Sequence, residues 1–275
     1  MSALQGDGLS PDRVGRLLRV ATWRLVGGGA TGSTNDDAKA LARAGGPGGV
    51  VVLATSQTAG RARVDRGWDS PDGGVYASVF LRLDTAPDRA GALPLAAGLG
   101  IARGLGRLGA GPAGPIRLKW PNDLRVADSK LCGVLVESSV SAGRLEWIVV
   151  GFGINVVRPA GGAGPAGPSA ADPGLHVAHL SDVLDIGVDL AAVAAAALDG
   201  LADSLAAFER CGFGPLLEEY TRLSDLVGER VTVRGAAGAV VAEGVVTGFD
   251  ADGRLLLSGD RGSASVSAGE VTLRD

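Results

Sequence analysis

The sequence predicts an α/β fold of the α+β kind: a mixed β-sheet domain flanked by helices over residues 1–223, then a small β-barrel over residues 224–275. Three observations predict it. Apolar runs of strand length alternate with stretches of helical spacing up to Leu223. From Gly228 onward the pattern changes to short alternating runs separated by Gly and Asp-Gly turns. The 275 residues are 46% hydrophobic and 20% charged, an ordinary balance for a globular chain long enough for one large domain plus a small one.

The elements follow in order. Residues 1–20 are polar and Arg-rich, with a short helix expected near Arg13 to Val20. Ser33-Thr34-Asn35-Asp36 precedes an Ala/Leu run, an N-cap signal for a helix reaching Ala44. Lys39 is expected on the outer face of that helix. Gly45-Gly46-Pro47-Gly48-Gly49 ends it, and Val50 to Thr55 reads as a buried strand. Residues 60–68 form a charged loop, 74–83 a second strand and 88–109 a helix. Residues 111–115 turn the chain. Two short strands flank Pro121, and 131–140 and 145–156 make a hairpin turning at Ser141-Ala142-Gly143. The Gly/Ala/Pro-rich segment 158–174 is expected to be a flexible loop. Helices resume over 189–208 and 213–222, and the domain boundary is placed near Ser224.

Composition excludes several functions. A formal net charge of −4 offers no basic field for nucleic acid. The segment before the first motif is shorter than a helix-turn-helix module, so DNA binding through one is not expected. No apolar run reaches the roughly 20 residues of a membrane span; the Leu190 to Leu198 stretch is too short. The start carries Asp7 and Asp12 and lacks the apolar core of a signal peptide, so a cytoplasmic location is expected. Cys132 and Cys211 make no disulfide framework and read as small core hydrophobes. His176 and His179 have metal-like spacing but no supporting cluster, and read as loop histidines. Two histidines in that region allow no Ser/His/Asp triad.

The informative bias is in the cations. Of 26 Lys and Arg residues only three are lysines, Lys39, Lys119 and Lys130. In a chain that defaults to arginine, a remaining lysine points to a site needing a compact, movable charge. Three arginines, Arg61, Arg63 and Arg66, lie in a Gly-bounded loop ending at Trp68. Guanidiniums fork onto carboxylate and phosphate, and an indole stacks on a base; a solvated basic loop is the plainer alternative. Lys119, Asn122 and Asp123 sit around Pro121, where Asp123 is a candidate Mg²⁺ ligand beside phosphates; a polar surface turn also fits. Gly151 and Gly153 within a strand imply close approach of another group. The segment from Gly32 to Asn35 is either a helix cap or a ligand site at a helix N-terminus.

Together these segments resemble a known family. G-S-T-N at 32–35, the stretch from Gln57 to Trp68, K-W-P-N-D-L at 119–124, S-K-L-C-G-V-L-V-E at 129–137 and G-F-G-I-N-V at 151–156 follow the order and spacing of biotin–protein ligases. The likeness covers residues 20–223, and the C-terminal strands match that family's small SH3-like domain. With no segment for a DNA-binding domain ahead of the first motif, the chain is similar to the short class.

The resemblance implies roles. Ser33, Thr34, Asn35 and Gln57 would surround the biotin ureido ring. Arg61, Ala62 and Arg63 would border the biotin carboxylate and the acyl-adenylate, with Lys130 meeting the carboxyl group. Arg63, Arg66, Trp68, Lys119, Asn122 and Asn155 would face ATP, and Asp123 the Mg²⁺ side. Arg61, Arg63, Lys119 and Lys130 would be the catalytic cations. The implied reaction activates biotin with ATP to biotinyl-5′-AMP. Biotin is then transferred to a lysine of a biotin carboxyl carrier protein, such as that of acetyl-CoA carboxylase. A monomer or weak homodimer is expected, with no DNA or membrane partner. Two departures stand out: Ala62 and Asp65 occupy positions where the family usually has glycine. A methyl at Ala62 restricts φ, and Asp65 offsets the arginines' field. The alternatives are a catalytically impaired biotin or nucleotide binder, a lipoate–protein ligase, and a co-repressor.

Overall fold

The computed structural model describes residues 8–273 apart from 21, 64–65, 84–85, 110–113, 160–166, 169–175, 185–186, 236–237 and 261. Helix α1 spans Pro11–Leu17 and is capped by Ser10, whose side chain accepts from the Arg13 amide. Strands β1 (Arg24–Gly27) and β2 (Ala30–Thr31) precede α2 (Thr34–Arg43). Then come β3 (Val50–Ala54), β4 (Ser56–Gln57) and β5 (Gly74–Leu81). The expected helix over 88–109 divides into a 3-10 turn, Pro87–Ala92, and α3, Leu93–Gly106. Next are β6 (Arg117–Lys119), β7 (Asp123–Val126), β8 (Ser129–Ser141) and β9 (Arg144–Asn155). Short β10 (Gly167–Pro168), β11 (His176–Val177) and α4 (Leu180–Val183) follow, then α5 (Leu190–Cys211) and α6 (Gly214–Leu223).

The main sheet runs β1-β3-β5-β9-β8-β11-β10, with β6 and β7 attached beside β8. It is mixed: β1 pairs parallel with β3 and β11 parallel with β8, while β3, β5, β9 and β8 are antiparallel. Both faces of β3 are covered. Val51 and Leu53 join the large core, whereas Val50 and Val52 meet Ala38 and Ala42 of α2. A strand buried on both faces reads as the continuous apolar run seen at 50–55.

Helices α3 and α5 cover the large-core face and press unusually close. A Cβ on Gly104 would stand 2.0 Å from the Ala196 carbonyl oxygen, and one on Gly200 would stand 2.1 Å from that of Gly100. Helix α5, at 22 residues, runs close to the expected 189–208 span and is long and apolar enough to cross a membrane by length and composition. Its apolar face belongs instead to this helix pair, with Leu198 and Leu201 fully buried. Cys132 is a core residue as expected, but Cys211, at the end of α5, is exposed. His176 and His179 are not plain loop residues: one lies in β11 and the other caps α4 beside Asp182.

Strands β12 (Arg230–Arg234), β13 (Val240–Phe249), β14 (Leu255–Gly259), β15 (Gly262–Val266) and β16 (Glu270–Leu273) form an antiparallel sheet in the order β15-β14-β13-β12-β16. Its end strands do not pair with each other among the described residues, so the expected barrel is not closed. Alternation identifies strands but does not determine which edges meet. The sheet shares the main core through Val231, Val246, Phe249 and Leu255. Trp120 Nε1 donates to the Gly253 carbonyl at 3.0 Å, and Tyr220 meets Phe249 edge-to-face at 4.9 Å.

The helix pair yields a stability prediction. Alanine normally gains about 1 kcal/mol over glycine inside a helix. At Gly200 the new methyl would meet backbone, so overpacking, typically about 1–3 kcal/mol, outweighs that gain. Gly200→Ala is expected to lower the urea midpoint; a raised midpoint would refute the close approach.

Candidate active site

The N-terminus of α2 opens onto the sheet. Ser33 has extended geometry and accepts from the Asp36 amide, while Thr34 and Asn35 turn inward and are buried. The Thr34 amide and hydroxyl both donate to Gln57 Oε1, at 2.8 and 3.1 Å. Gln57 Nε2 donates to Ser70 Oγ at 2.8 Å, which donates to the Trp68 carbonyl at 3.1 Å. Ser78 Oγ, in the middle of β5, donates to Asn35 Oδ1 at 2.5 Å and lies 2.8 Å from Thr34 Oγ1. Asn35 Nδ2 donates to Glu137 Oε2 at 2.9 Å. A carboxylate only accepts, so the Asn35 amide can face Glu137 only with its nitrogen.

The sheet beneath is stripped of side chains. A Cβ on Gly151 would stand 1.8 Å from Asn35 Oδ1, and one on Gly153 would stand 2.5 Å from Trp68 Nε1. A Cβ on Gly133 would meet the same indole at 2.8 Å. Side chains from α2 and the 60–68 loop therefore occupy the space that strand residues would otherwise fill. Trp68 Nε1 is buried there with no hydrogen-bond partner.

The 60–68 loop closes on itself. Trp68 N donates to the Gly60 carbonyl at 2.9 Å, and Ala62 N donates to the Arg66 carbonyl at 2.8 Å. Ala62 is not among the described residues with positive φ, so its methyl imposes no backbone penalty here. Asp65 lies outside the described residues. Arg61 pairs with Asp36 at 2.9 Å and Glu137 at 3.2 Å. Arg63 NH1 donates to Asn122 Oδ1 and to the Gly269 carbonyl, both at 3.3 Å. Arg66 pairs with Glu270. Burial holds the Arg63 guanidinium below its usual range, opposed by nearby Asp123.

Across the cleft, β6, β7 and β8 supply the other cations. Lys130 pairs with Asp123 at 2.7 Å, and its ammonium lies 5.0 Å from the Trp68 ring centre. Asn155 Nδ2 and the Ala178 amide both donate to the Lys130 carbonyl, at 3.3 and 3.0 Å, fixing its backbone. Asn122 Nδ2 donates to the Val134 carbonyl at 2.8 Å. Lys119 is half-buried, and burial first, then Arg125, pushes its ammonium below the usual lysine range. The described residues build no seat for a metal: no group of three His, Cys, Asp or Glu side chains could hold one. Asp123, the carboxylate expected on the metal side, is committed to Lys130.

The result is a cleft lined by Thr34, Asn35, Gln57, Arg61, Ala62, Trp68, Asn122, Lys130, the glycines of β8 and β9, and Val134, Leu135 and Phe152. It has an apolar floor, amide and hydroxyl groups at one end and cations at its rim, suited to a small molecule with an anionic tail. Residues 30–155 match the Biotin/lipoate A/B protein ligase family, and residues 226–274 match the Biotin protein ligase C terminal domain. The chain is 33% identical to a biotin–[acetyl-CoA-carboxylase] ligase of Paracoccus denitrificans, covering 88% of this chain and 97% of that protein. It is also 33% identical to one of Mycobacterium tuberculosis, covering 96% of this chain and 97% of that protein. This chain belongs to the biotin protein ligase family. The fold agrees: a biotin protein ligase from Aquifex aeolicus in complex with biotin and ATP aligns with a TM-score of 0.73 at 26% identity, over 91% of this chain and 98% of that one.

Measured against the family expectation, the cleft gathers most of the named residues but not all. Ser33, Arg63, Arg66, Lys119, Asp123 and Asn155 stand outside its lining. Ser33 caps α2, Asn155 and Asp123 act on Lys130, and Arg63 and Arg66 reach the C-terminal sheet. Lys39 is not on an outer face: it is 7% exposed and paired with Asp36 and Glu137. Sequence reasoning missed Ser78, Glu137, Gly133, Gly269 and Glu270. A single serine inside the apolar run of β5 and a single acid inside that of β8 were the available signals.

Gly151→Ala tests the bare floor. The methyl must displace Asn35 from Ser78 and Glu137. Biotin affinity is expected to fall at least 10-fold, about 1.4 kcal/mol, with unchanged circular dichroism. Affinity within two-fold of the parent would contradict the arrangement.

Proposed function

We propose that this cleft performs two successive acyl transfers: adenylation of biotin by ATP, then transfer of biotin to a lysine of a carboxylase carrier domain. The single observation that carries the reading is the convergence of Arg61, Lys130 and the Thr34–Gln57 pair on one cleft over the glycine-lined floor. The ATP-dependent ligase activity follows from membership of the family.

In the first step a carboxylate oxygen of biotin attacks the α-phosphorus of ATP, and the bond to pyrophosphate breaks. Two anions must approach, so the residues contribute chiefly positive charge and placement. Lys130 meets the carboxyl group, and Arg61 and Arg63 hold the carboxylate and α-phosphate. Lys119 and Arg66 approach the phosphates, and Asn122 and Asn155 lie on the adenine side. The indole of Trp68, with its unpartnered N–H, offers a stacking face. Mg²⁺ enters with the ATP phosphates, which suits an ion that keeps its waters and needs few protein carboxylates; no step is assigned to a protein-held metal. In the second step the carrier amine attacks the mixed anhydride carbonyl, AMP departs with the bonding electrons, and the amine loses a proton. No enzyme nucleophile is required. Residues 1–223 form the catalytic domain and 224–275 the smaller one, in a cytoplasmic protein that is a monomer or weak homodimer.

The deciding experiment mixes the protein with biotin, Mg·ATP and a carrier domain. Biotin's mass on the carrier is expected. Pyrophosphate release without labelling would limit the activity to adenylation, and neither would leave a binder.

Two substitutions test the cations. Lys130→Arg keeps the charge but imposes a planar fork beside Asp123 and Trp68. Adenylate formation is expected to fall at least about 10-fold, or 1.4 kcal/mol; an unchanged rate would remove Lys130 from the carboxyl group. Arg63→Gly removes charge-assisted bonds worth about 1.5–3 kcal/mol each. Biotinyl-adenylate is expected to escape and label non-cognate lysines, and unchanged retention would contradict the role.

A further inference from the structure

Beside the cleft lies a balanced group of four charges, Lys39, Arg61, Asp36 and Glu137, of which the reaction above uses only Arg61. Glu137, on β8, accepts from Asn35 Nδ2 at 2.9 Å and Lys39 Nζ at 2.9 Å, and pairs with Arg61 NH2 at 3.2 Å. Asp36, in the first turn of α2, pairs with Lys39 at 2.8 Å and Arg61 at 2.9 Å. Lys39 is placed to face β8 because α2 buries Thr34, Asn35, Ala38, Lys39 and Ala42 along one face.

The two cations differ in exposure. The Lys39 side chain is 8% exposed, and the Arg61 side chain is 39% exposed on the loop that lines the cleft. Lys39 is therefore the fixed partner of Glu137, and Arg61 the exchangeable one. We infer that Lys39 is a positioning residue: its ammonium keeps Glu137 neutralised so that Arg61 can turn from Glu137 to the carboxylate of an incoming ligand. This rests on the reading of Arg61 as a carboxylate contact.

The sign follows from charge burial. The Glu137 side chain is 21% exposed. A carboxylate so placed is costly to leave without a cation. With Lys39 present, the departure of Arg61 leaves Glu137 still paired with an ammonium and an amide. Without Lys39, Arg61 becomes the counter-charge of both Glu137 and Asp36, and holding it there competes with the ligand. Asn35 feels the same change, since its Nδ2 shares the Glu137 carboxylate. Removing the carboxylate as well should undo the effect. The amide oxygen that Glu137→Gln leaves in its place still accepts from Asn35 but does not trap a guanidinium.

The test measures KM for biotin and kcat for pyrophosphate release in Lys39→Met, Lys39→Arg, Lys39→Met with Glu137→Gln, and Arg61→Ala. Lys39→Met is expected to raise KM for biotin at least five-fold with kcat within two-fold. Lys39→Arg, which keeps the charge, should stay within two-fold on both. The double variant should return KM to within two-fold of the parent, a reversal that a merely structural role would not produce. An unchanged KM in Lys39→Met, or a rise that Glu137→Gln does not reverse, overturns the inference. If Lys39→Met does not fold, Lys39→Gln is judged by the same two criteria. Arg61→Ala separates the underlying reading: if it leaves KM for biotin unchanged, the carboxylate role of Arg61 fails. If it raises KM while Lys39→Met does not, only the counter-charge role of Lys39 fails.

Discussion

The site depends on a patch of β-sheet that carries no side chains. Gly133, Gly151 and Gly153 lie next to one another on β8 and β9, with Gly133 directly opposite Gly153. Each would collide with Asn35 or Trp68 if it bore even a methyl. Because the floor is bare, the first turn of α2 and the 60–68 loop descend onto the sheet instead of riding above it. Glycine weakens a strand, so such a patch is expected only where something must come close. Here β9 is a central strand, paired on both sides with β5 and β8, and the ladder keeps its place without the missing side chains.

Everything else at the cleft is arranged around that floor by charge and hydrogen bonding. Four of the described cations around the cleft are held by partners: Arg61 with Asp36 and Glu137, Arg66 with Glu270, Lys130 with Asp123, and Arg63 with a carbonyl and an amide oxygen. These pairs keep like charges from repelling one another in the free protein. They also set what an anionic ligand must compete with; the more exposed pair, Arg66 with Glu270, is of the kind that is individually weak and readily exchanged. Two of the partners, Gly269 and Glu270, lie just before and at the start of β16, so the C-terminal strands contribute directly to the setting of the loop.

Much of this was legible in the sequence. The Ser33 cap, the buried run of β3, the β8–β9 hairpin and the strand glycines each carry a local signal of spacing or residue type. What escaped was mostly non-local. Ser78, Glu137 and Glu270 look like ordinary strand residues until α2 and the loop are folded against them. Lys39, expected on the outer face, lies on the inward one, the face that Ala38 and Ala42 mark. The short pairings β1 with β3 and β2 with β4 have too few residues to show a period. Barrel closure depends on which edges meet, and alternation does not carry that. The effect of Asp65, and most of the flexible loop expected over 158–174, concern positions outside the described residues.

The central claim is that α2, the 60–68 loop and the bare floor form one ligand cleft whose rim ion pairs are exchanged for ligand contacts. Hydrogen exchange of backbone amides, with and without biotin and Mg·ATP, tests it most directly. The account predicts that protection rises together at 33–36, within 60–68 and at 130–135, while the end of the β8–β9 hairpin near 141–144 is unchanged. Biotin binding with equal protection of the 60–68 loop in both states would contradict it.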